Sequence, residues 1–168
     1  MTTVSGALPV RVAAGRGHKT ISVTPTVEAT PDYSAGDVIG GKMTLSNAAR
    51  DGGDSGAVAW AHVYSLADIG DSIPIRVLLF NADPSSSTFT ENGALAVHAD
   101  DLAKIVGVLD LDQKLDLGTP VMLHTAAGAR VPFVLPSGST LYAVAVAGGT
   151  INLASAADLT FVFAIEQD

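Results

Sequence analysis

Four sets of side chains in this 168-residue sequence could do chemistry: a serine between glycines, a lysine and threonine behind glycines, a run of aspartates, and scattered histidines. Gly53-Asp-Ser-Gly56 has the form of the short signature around the nucleophile of trypsin-like serine proteases. There a hydroxyl becomes reactive only when a positioned imidazole takes its proton. Only His18 precedes the string, whereas those enzymes carry both histidine and aspartate upstream, so a Gly/Asp/Ser turn is the expected role. Gly15-Arg-Gly-His-Lys-Thr20 approaches a phosphate-binding loop. Such a loop needs glycine directly before the lysine and again five residues earlier, where His18 and Ala13 stand. Asp110, Asp112 and Asp116 crowd together, but Lys114 and Leu115 occupy places where a calcium loop needs an oxygen ligand and a flexible glycine. A solvated turn is expected. His62, His98 and His124 lie apart, without helical pairing or a carboxylate at ligand spacing. No catalytic residue, metal or cofactor is expected, and the chain reads as a non-enzyme.

Trp60 and Tyr64 share one face of an alternating stretch, as the aromatics of a sugar-binding platform would. Aromatic residues make up only 5% of the chain, low for a carbohydrate module, so both rings are expected to pack in the core with their polar tips at its margin.

The elements that must position these residues are short and β-like. Ile75–Phe80 is almost continuously apolar, bounded by Pro74 and the turn-forming Asn81-Ala-Asp-Pro84, and reads as a central core strand. Before it, Lys19–Val27 alternates, and Pro25 places it at a sheet edge. Asp37–Leu45 is a strand broken by Gly40-Gly41, a pair that signals a bulge or a close backbone approach. In Ala57–Leu66, Val58, Trp60, His62 and Tyr64 alternate with Ala57, Ala59, Ala61, Val63 and Ser65. After a long connection, 83–101, with a short helix at Asp100–Ile105, come strands at Val106–Leu111, Val121–His124, Val131–Leu135, Thr140–Ala147 and Leu159–Glu166. The last sets Leu159, Phe161, Phe163 and Ile165 on one face. Short strands with turn signals between them, and no long amphipathic helix, predict an all-β fold: a two-sheet antiparallel sandwich, jelly-roll-like. One such domain is expected over 19–168, behind an extended N-terminal arm, 1–18.

With 48% hydrophobic residues the chain can bury a sizeable core, and with no cysteine it must do so by packing alone. No stretch approaches the roughly 20 apolar residues of a membrane span, so no membrane partner is expected. Charge is uneven. Arg11, Arg16 and Lys19 all precede the first acid, Glu28, so the first 19 residues carry formal +3 while the remaining 149 carry −11, six basic against seventeen acidic side chains. An acidic body repels nucleic acid. The arm, through Arg11, Arg16 and Lys19, suits an acidic protein neighbour, including another copy of the chain, and is expected to order on assembly.

The runs Ile21-Ser-Val-Thr-Pro-Thr-Val27, Tyr33-Ser-Ala-Gly-Asp-Val-Ile-Gly-Gly41 and Leu45-Ser-Asn-Ala-Ala-Arg50 resemble a family of small proteins encoded among the structural genes of tailed bacteriophages. So do Leu78-Leu-Phe-Asn-Ala-Asp-Pro84 with Ser85-Ser-Ser-Thr-Phe-Thr-Glu-Asn92, Asp101-Leu-Ala-Lys-Ile-Val-Gly-Val108, Gly138-Ser-Thr-Leu-Tyr142 and Ala156-Ala-Asp-Leu-Thr160. The resemblance runs from about Lys19 to the C-terminus and carries no chemistry with it. It implies a virion component made in the host cytoplasm, foremost a capsid cement or decoration protein on the capsid exterior. Its partners would be the major capsid protein and other copies of itself, as a dimer or trimer. The other role it leaves open is a tail or head-fibre module that binds host-surface saccharide through Trp60, Tyr64 or Tyr142.

Overall fold

The computed structural model describes residues 17–50, 54–66, 75–118, 121–126 and 130–168. Ten strands run through them: β1 Gly17–Val23, β2 Val38–Leu45, β3 Ser55–Ser65, β4 Ile75–Phe80, β5 Ile105–Leu111, β6 Gln113–Asp116, β7 Met122–Thr125, β8 Val131–Val134, β9 Leu141–Ala147 and β10 Leu159–Gln167. One sheet has the order β1-β10-β3-β7-β6, with β8 also paired to β3, and the other has the order β2-β9-β4-β5. All pairings are antiparallel. First pairs with last, second with ninth, and fourth with fifth, which is a long hairpin rolled across two sheets: the expected jelly-roll sandwich.

The inner faces meet in one core. Ile75, Val77 and Leu79 of β4, Leu141, Ala143 and Ala145 of β9, and Leu159, Phe161, Phe163 and Ile165 of β10 are all buried in it. The clean alternation in β10 therefore reports a strand with one face inward. In β4 and β9 alternation fails for a physical reason. Their outer residues, Leu78, Phe80, Tyr142, Val144 and Val146, form a second apolar cluster with Val38, Phe89, Leu95, Val97 and Ile105. Phe89, Leu95 and Val97 come from the long connection between β4 and β5, which lies over the outer face of this four-stranded sheet. β4 and β9 are thus apolar on both faces because both faces are covered.

A buried ion pair fastens that cover. Asp101, in the 3-10 helix Ala99–Lys104, accepts from Ser87 Oγ at 2.6 Å and from Lys104 Nζ at 2.6 Å, and Lys104 Nζ also donates to the Asp83 carbonyl at 2.6 Å. Burial pushes the Asp101 carboxyl up. The hydrogen bonds from Lys104 and Ser87 and the lysine charge outweigh it and hold the group below the usual carboxylate range.

Other expectations meet the structure in detail. β1 forms the edge of its sheet, as Pro25 indicates. It begins at Gly17, two residues ahead of the expected boundary at Lys19. Gly40 and Gly41 have φ of +70° and +67°, and the β2–β9 register shifts between Ile39 and Lys42, so the glycine pair makes the expected bulge. β6 is the element that the sequence reading lacks. Its four residues lie inside the aspartate cluster, where acidic composition hides a strand. Asp112 stands between β5 in one sheet and β6 in the other.

Candidate functional site

β3 carries the site. Its register with β10 pairs Trp60 with Ala164 but Val58 with Ile165, leaving Ala59 as an extra residue. This bulge reverses the side-chain alternation. Val58 is fully buried beside Ala61 and Val63, whereas Trp60 is 46% exposed and Tyr64 36%. The expectation that both aromatics pack in the core is corrected: they stand on the outer face of the six-stranded sheet. His62 stands between them, with its ring centroid 4.9 Å from Trp60 and stacked at 14°, and 6.5 Å from Tyr64 at 34°. Burial between the rings lowers the His62 pKa.

Pairing fixes what surrounds this ridge. Thr160, Val162 and Ala164 of β10 lie opposite Tyr64, His62 and Trp60, and Ser22 and Thr20 of β1 lie opposite Val162 and Ala164. Thr24 Oγ1 and Thr160 Oγ1 share a hydrogen bond of 2.8 Å. On the other side are Leu123 of β7, opposite Tyr64, and Leu115 of β6, opposite Leu123 and 56% exposed. The face is therefore a ridge of three rings, a trough of small side chains over β10 and β1, and an apolar shoulder over β7 and β6. Glu166, at one end, is the carboxylate on this face among the described residues of these strands, and Arg130 bonds it at 2.8 Å. Leu115 escaped the sequence reading because β6 itself did, whereas Leu123 lies in the strand expected at Val121–His124.

The remaining candidates do not converge. Tyr142 lies on the other sheet, half-buried under the connection and 5.5 Å from Lys42 Nζ, so it cannot join Trp60 and Tyr64 in one site. His124 pairs in register with Val63 and points inward, opposite to His62. It is buried, its Nε2 has no hydrogen-bond partner, and burial, then the charge of Lys114, lower its pKa. His98 is exposed and accepts from the Asp100 amide at 3.2 Å. Among the described residues no three of His, Cys, Asp or Glu are grouped to hold a metal ion. Asp110 pairs with Arg76 at 3.0 Å, and Asp116 accepts from the Gly118 amide at 2.8 Å, roles of strand edge and turn.

Ser55 opens β3, and its hydroxyl donates to Asp168 at 2.7 Å. It borders a groove of about 490 Å³ lined also by Asn81, Arg130, Phe133 and Val134, with no histidine on its wall. The Ser55–Asp168 bond ties the start of β3 to the residue after β10. Of the expected arm contacts, Lys19 sits half-buried in β1, paired in register with Ile165. Arg11 and Arg16 lie outside the described residues, as does Gly53. No helix among the described residues is long and apolar enough to cross a membrane.

No protein-family model matches the chain, and no curated protein matches it. Among solved structures it is similar to dimeric latent PorU from Porphyromonas gingivalis, at 10% identity over 91% of this chain and 13% of that one, with a TM-score of 0.28. It is similar also to the infectious bursal disease virus VP2 subviral particle, at 15% identity over 98% of this chain and 45% of that one, TM-score 0.28. The infectious bursal disease virus Gt strain structure follows, at 16% identity, 98% and 46% coverage, and a TM-score of 0.19. The chain thus spans 13% of the PorU chain and less than half of the viral ones. The fold assignment rests on the two sheets themselves.

Proposed function

We propose that the protein is a non-enzymatic virion structural protein of a tailed bacteriophage, an auxiliary capsid protein of the cement or decoration type. The observation that supports this best is the unequal dressing of the two sheets. The chain covers the outer face of one with its own 81–104 connection, while among the described residues the other carries the ridge of Trp60, His62 and Tyr64, flanked by threonine and serine on one side and by Leu123 and Leu115 on the other. Exposed Trp60, Tyr64 and Leu115 on one face of a sheet suit contact with protein. The resemblance of the sequence to phage structural proteins says where such contacts would be made.

In this reading the sandwich sits on the capsid exterior, and the basic arm, through Arg11 and Arg16 ahead of Lys19 in β1, reaches the major capsid protein. Weak contacts repeated over a symmetric shell act as an avid clamp. The test is addition of purified protein to capsids lacking it, followed by heating and osmotic shock. Bound protein should raise the rupture temperature, and removal of residues 1–16 should abolish binding. Capsids that bind none, or gain no resistance, would refute it.

The exposure of Trp60 and Tyr64 favours a second reading, a fibre module that binds saccharide. A sugar stacks on an open ring face. Here Trp60 and His62 cover one another's faces, which leaves less platform than two exposed aromatics suggest. Binding of the full chain to host glycans, lost in Trp60→Ala, would establish that reading instead.

A further inference from the structure

We infer that the pocket between the turn after β4 and the loop from β8 to β9 binds one neutral sugar ring, read through its hydroxyls. The pocket lies at the end of the four-stranded sheet, apart from Trp60 and Tyr64, and the inference needs neither reading given above. Two distant stretches of chain converge there. Asn81 and Asp83 follow β4 directly, while Ser137, Thr140 and Tyr142 come from the β8–β9 loop and the start of β9. Antiparallel pairing sets Phe80 against Tyr142, which brings the end of β4 to the start of β9.

Size and charge narrow the ligand. The pocket holds about 270 Å³, just below the roughly 300–1,000 Å³ of sites that enclose drug-sized molecules, and so suits a single ring. The Asp83 carboxylate pairs with Lys42 Nζ at 2.5 Å. Lys104, whose Nζ donates to the Asp83 carbonyl, is itself paired with Asp101 at 2.6 Å. These two lysines therefore have their anions, which leaves neither to select a phosphate, and the Lys42 charge beside Asp83 opposes a metal ion.

What the wall offers is hydrogen bonding that the protein does not use. Asn81 donates its backbone N–H to the Lys104 carbonyl and its side-chain N–H to the Val134 carbonyl, both at 2.9 Å, which leaves its amide oxygen to accept. Among the described residues, the hydroxyls of Ser137, Thr140 and Tyr142 and the second carboxylate oxygen of Asp83 have no hydrogen-bond partner. Adjacent hydroxyls on a neutral ring, each both donor and acceptor, satisfy such a set. The two bonds of Asn81, the Lys42–Asp83 pair and the place of Tyr142 in β9 hold these groups before a ligand arrives, so binding loses little freedom.

The experiment is an amide NMR titration of the full chain with free hexoses, N-acetylhexosamines and their methyl glycosides. Concentrations run to about 100 mM, well above the millimolar Kd expected for a ligand of about twelve non-hydrogen atoms. At least one sugar should saturably shift the amides of Asn81, Asp83, Ser137, Thr140 and Tyr142, while those of Trp60 to Tyr64 stay in place. Thr140→Val removes one hydroxyl at nearly constant volume and should weaken binding about three- to tenfold; Asp83→Asn should weaken it about tenfold or more. Glycans ending in the sugar that binds identify its source: shifts of the same amides mean the end of a chain is taken, and none means the free sugar is. No saturable shift with any sugar, shifts centred on Trp60, undiminished binding in Thr140→Val, or stronger shifts of the pocket amides by inorganic phosphate would each overturn the inference. If Asp83→Asn failed to fold, Thr140→Val alone would decide.

Discussion

Gly40 and Gly41 are adjacent, have nearly the same positive φ, and differ in what a methyl group would meet. At Gly41 a Cβ would lie 3.5 Å from the Phe89 carbonyl oxygen, an ordinary contact. At Gly40 it would lie 2.2 Å from Pro25 Cβ and 2.6 Å from Cγ, inside a ring that cannot swing away. Gly41→Ala therefore meets left-handed backbone strain of about 1–2 kcal/mol, partly offset by about 0.4–1 kcal/mol from a less flexible unfolded chain. A net loss of about 1 kcal/mol is expected. Gly40→Ala adds overpacking of about 1–3 kcal/mol, for a total of about 2–4 kcal/mol. At about 2–4 °C per kcal/mol for a domain of this size, Tm falls by about 3 °C in the first variant and about 5–15 °C in the second. Urea unfolding followed by Trp60 fluorescence, with thermal melts, measures both. Pro25→Gly removes both atoms in the way, so combining it with Gly40→Ala should recover the overpacking part as a coupling energy of about 1–3 kcal/mol. Equal losses in the two alanine variants, or no coupling to Pro25, would refute the reasoning, because the close approach would then play no part.

The buried His124 makes stability depend on pH. Its folded pKa is lowered, so the unfolded chain binds a proton first: stability is complete above about pH 6.5 and falls as pH drops from there toward the folded pKa. Urea midpoints at pH 7.5 and 5.5 should show the loss, and His124→Leu should reduce it, leaving a smaller slope of the same sign from His62, also held low by burial. Phe163→Ala, at a fully buried position of β10, should cost about 3–5 kcal/mol by denaturant titration, a measure of how much of the core this strand carries.

What was legible in the sequence is what local chemistry dictates. Leu159 to Ile165 show their period because β10 meets the core on one side, and Gly40-Gly41 announces a bulge because glycine tolerates positive φ. The apolar run of Ile75–Phe80 marks an interior strand, but nothing local says that Phe89, Leu95 and Val97 cover its outer side. β6 was hidden because Lys114 and Asp116 occupy an edge strand, where charge is tolerated and guards against further pairing.

The site failed to read for a different reason, and Ala59 is the cause. Along Ala57–Ser65 the alternation is regular, and Val58 and Trp60 should share a face, with the large ring inside if Val58 is inside. A bulge of one alanine, small enough to pass as either face, breaks that inference between the two residues. It sends Val58 inward and turns Trp60, His62 and Tyr64 out together. No propensity or spacing distinguishes this alanine from Ala57 or Ala61. Its position is set by β10, where Ala164 and Ile165 follow one another on opposite faces, and by the need to seat Val58 in the core. The aromatic ridge is thus a consequence of pairing between strands a hundred residues apart. The same bulge that seats Val58 in the core turns the three rings to the outer face.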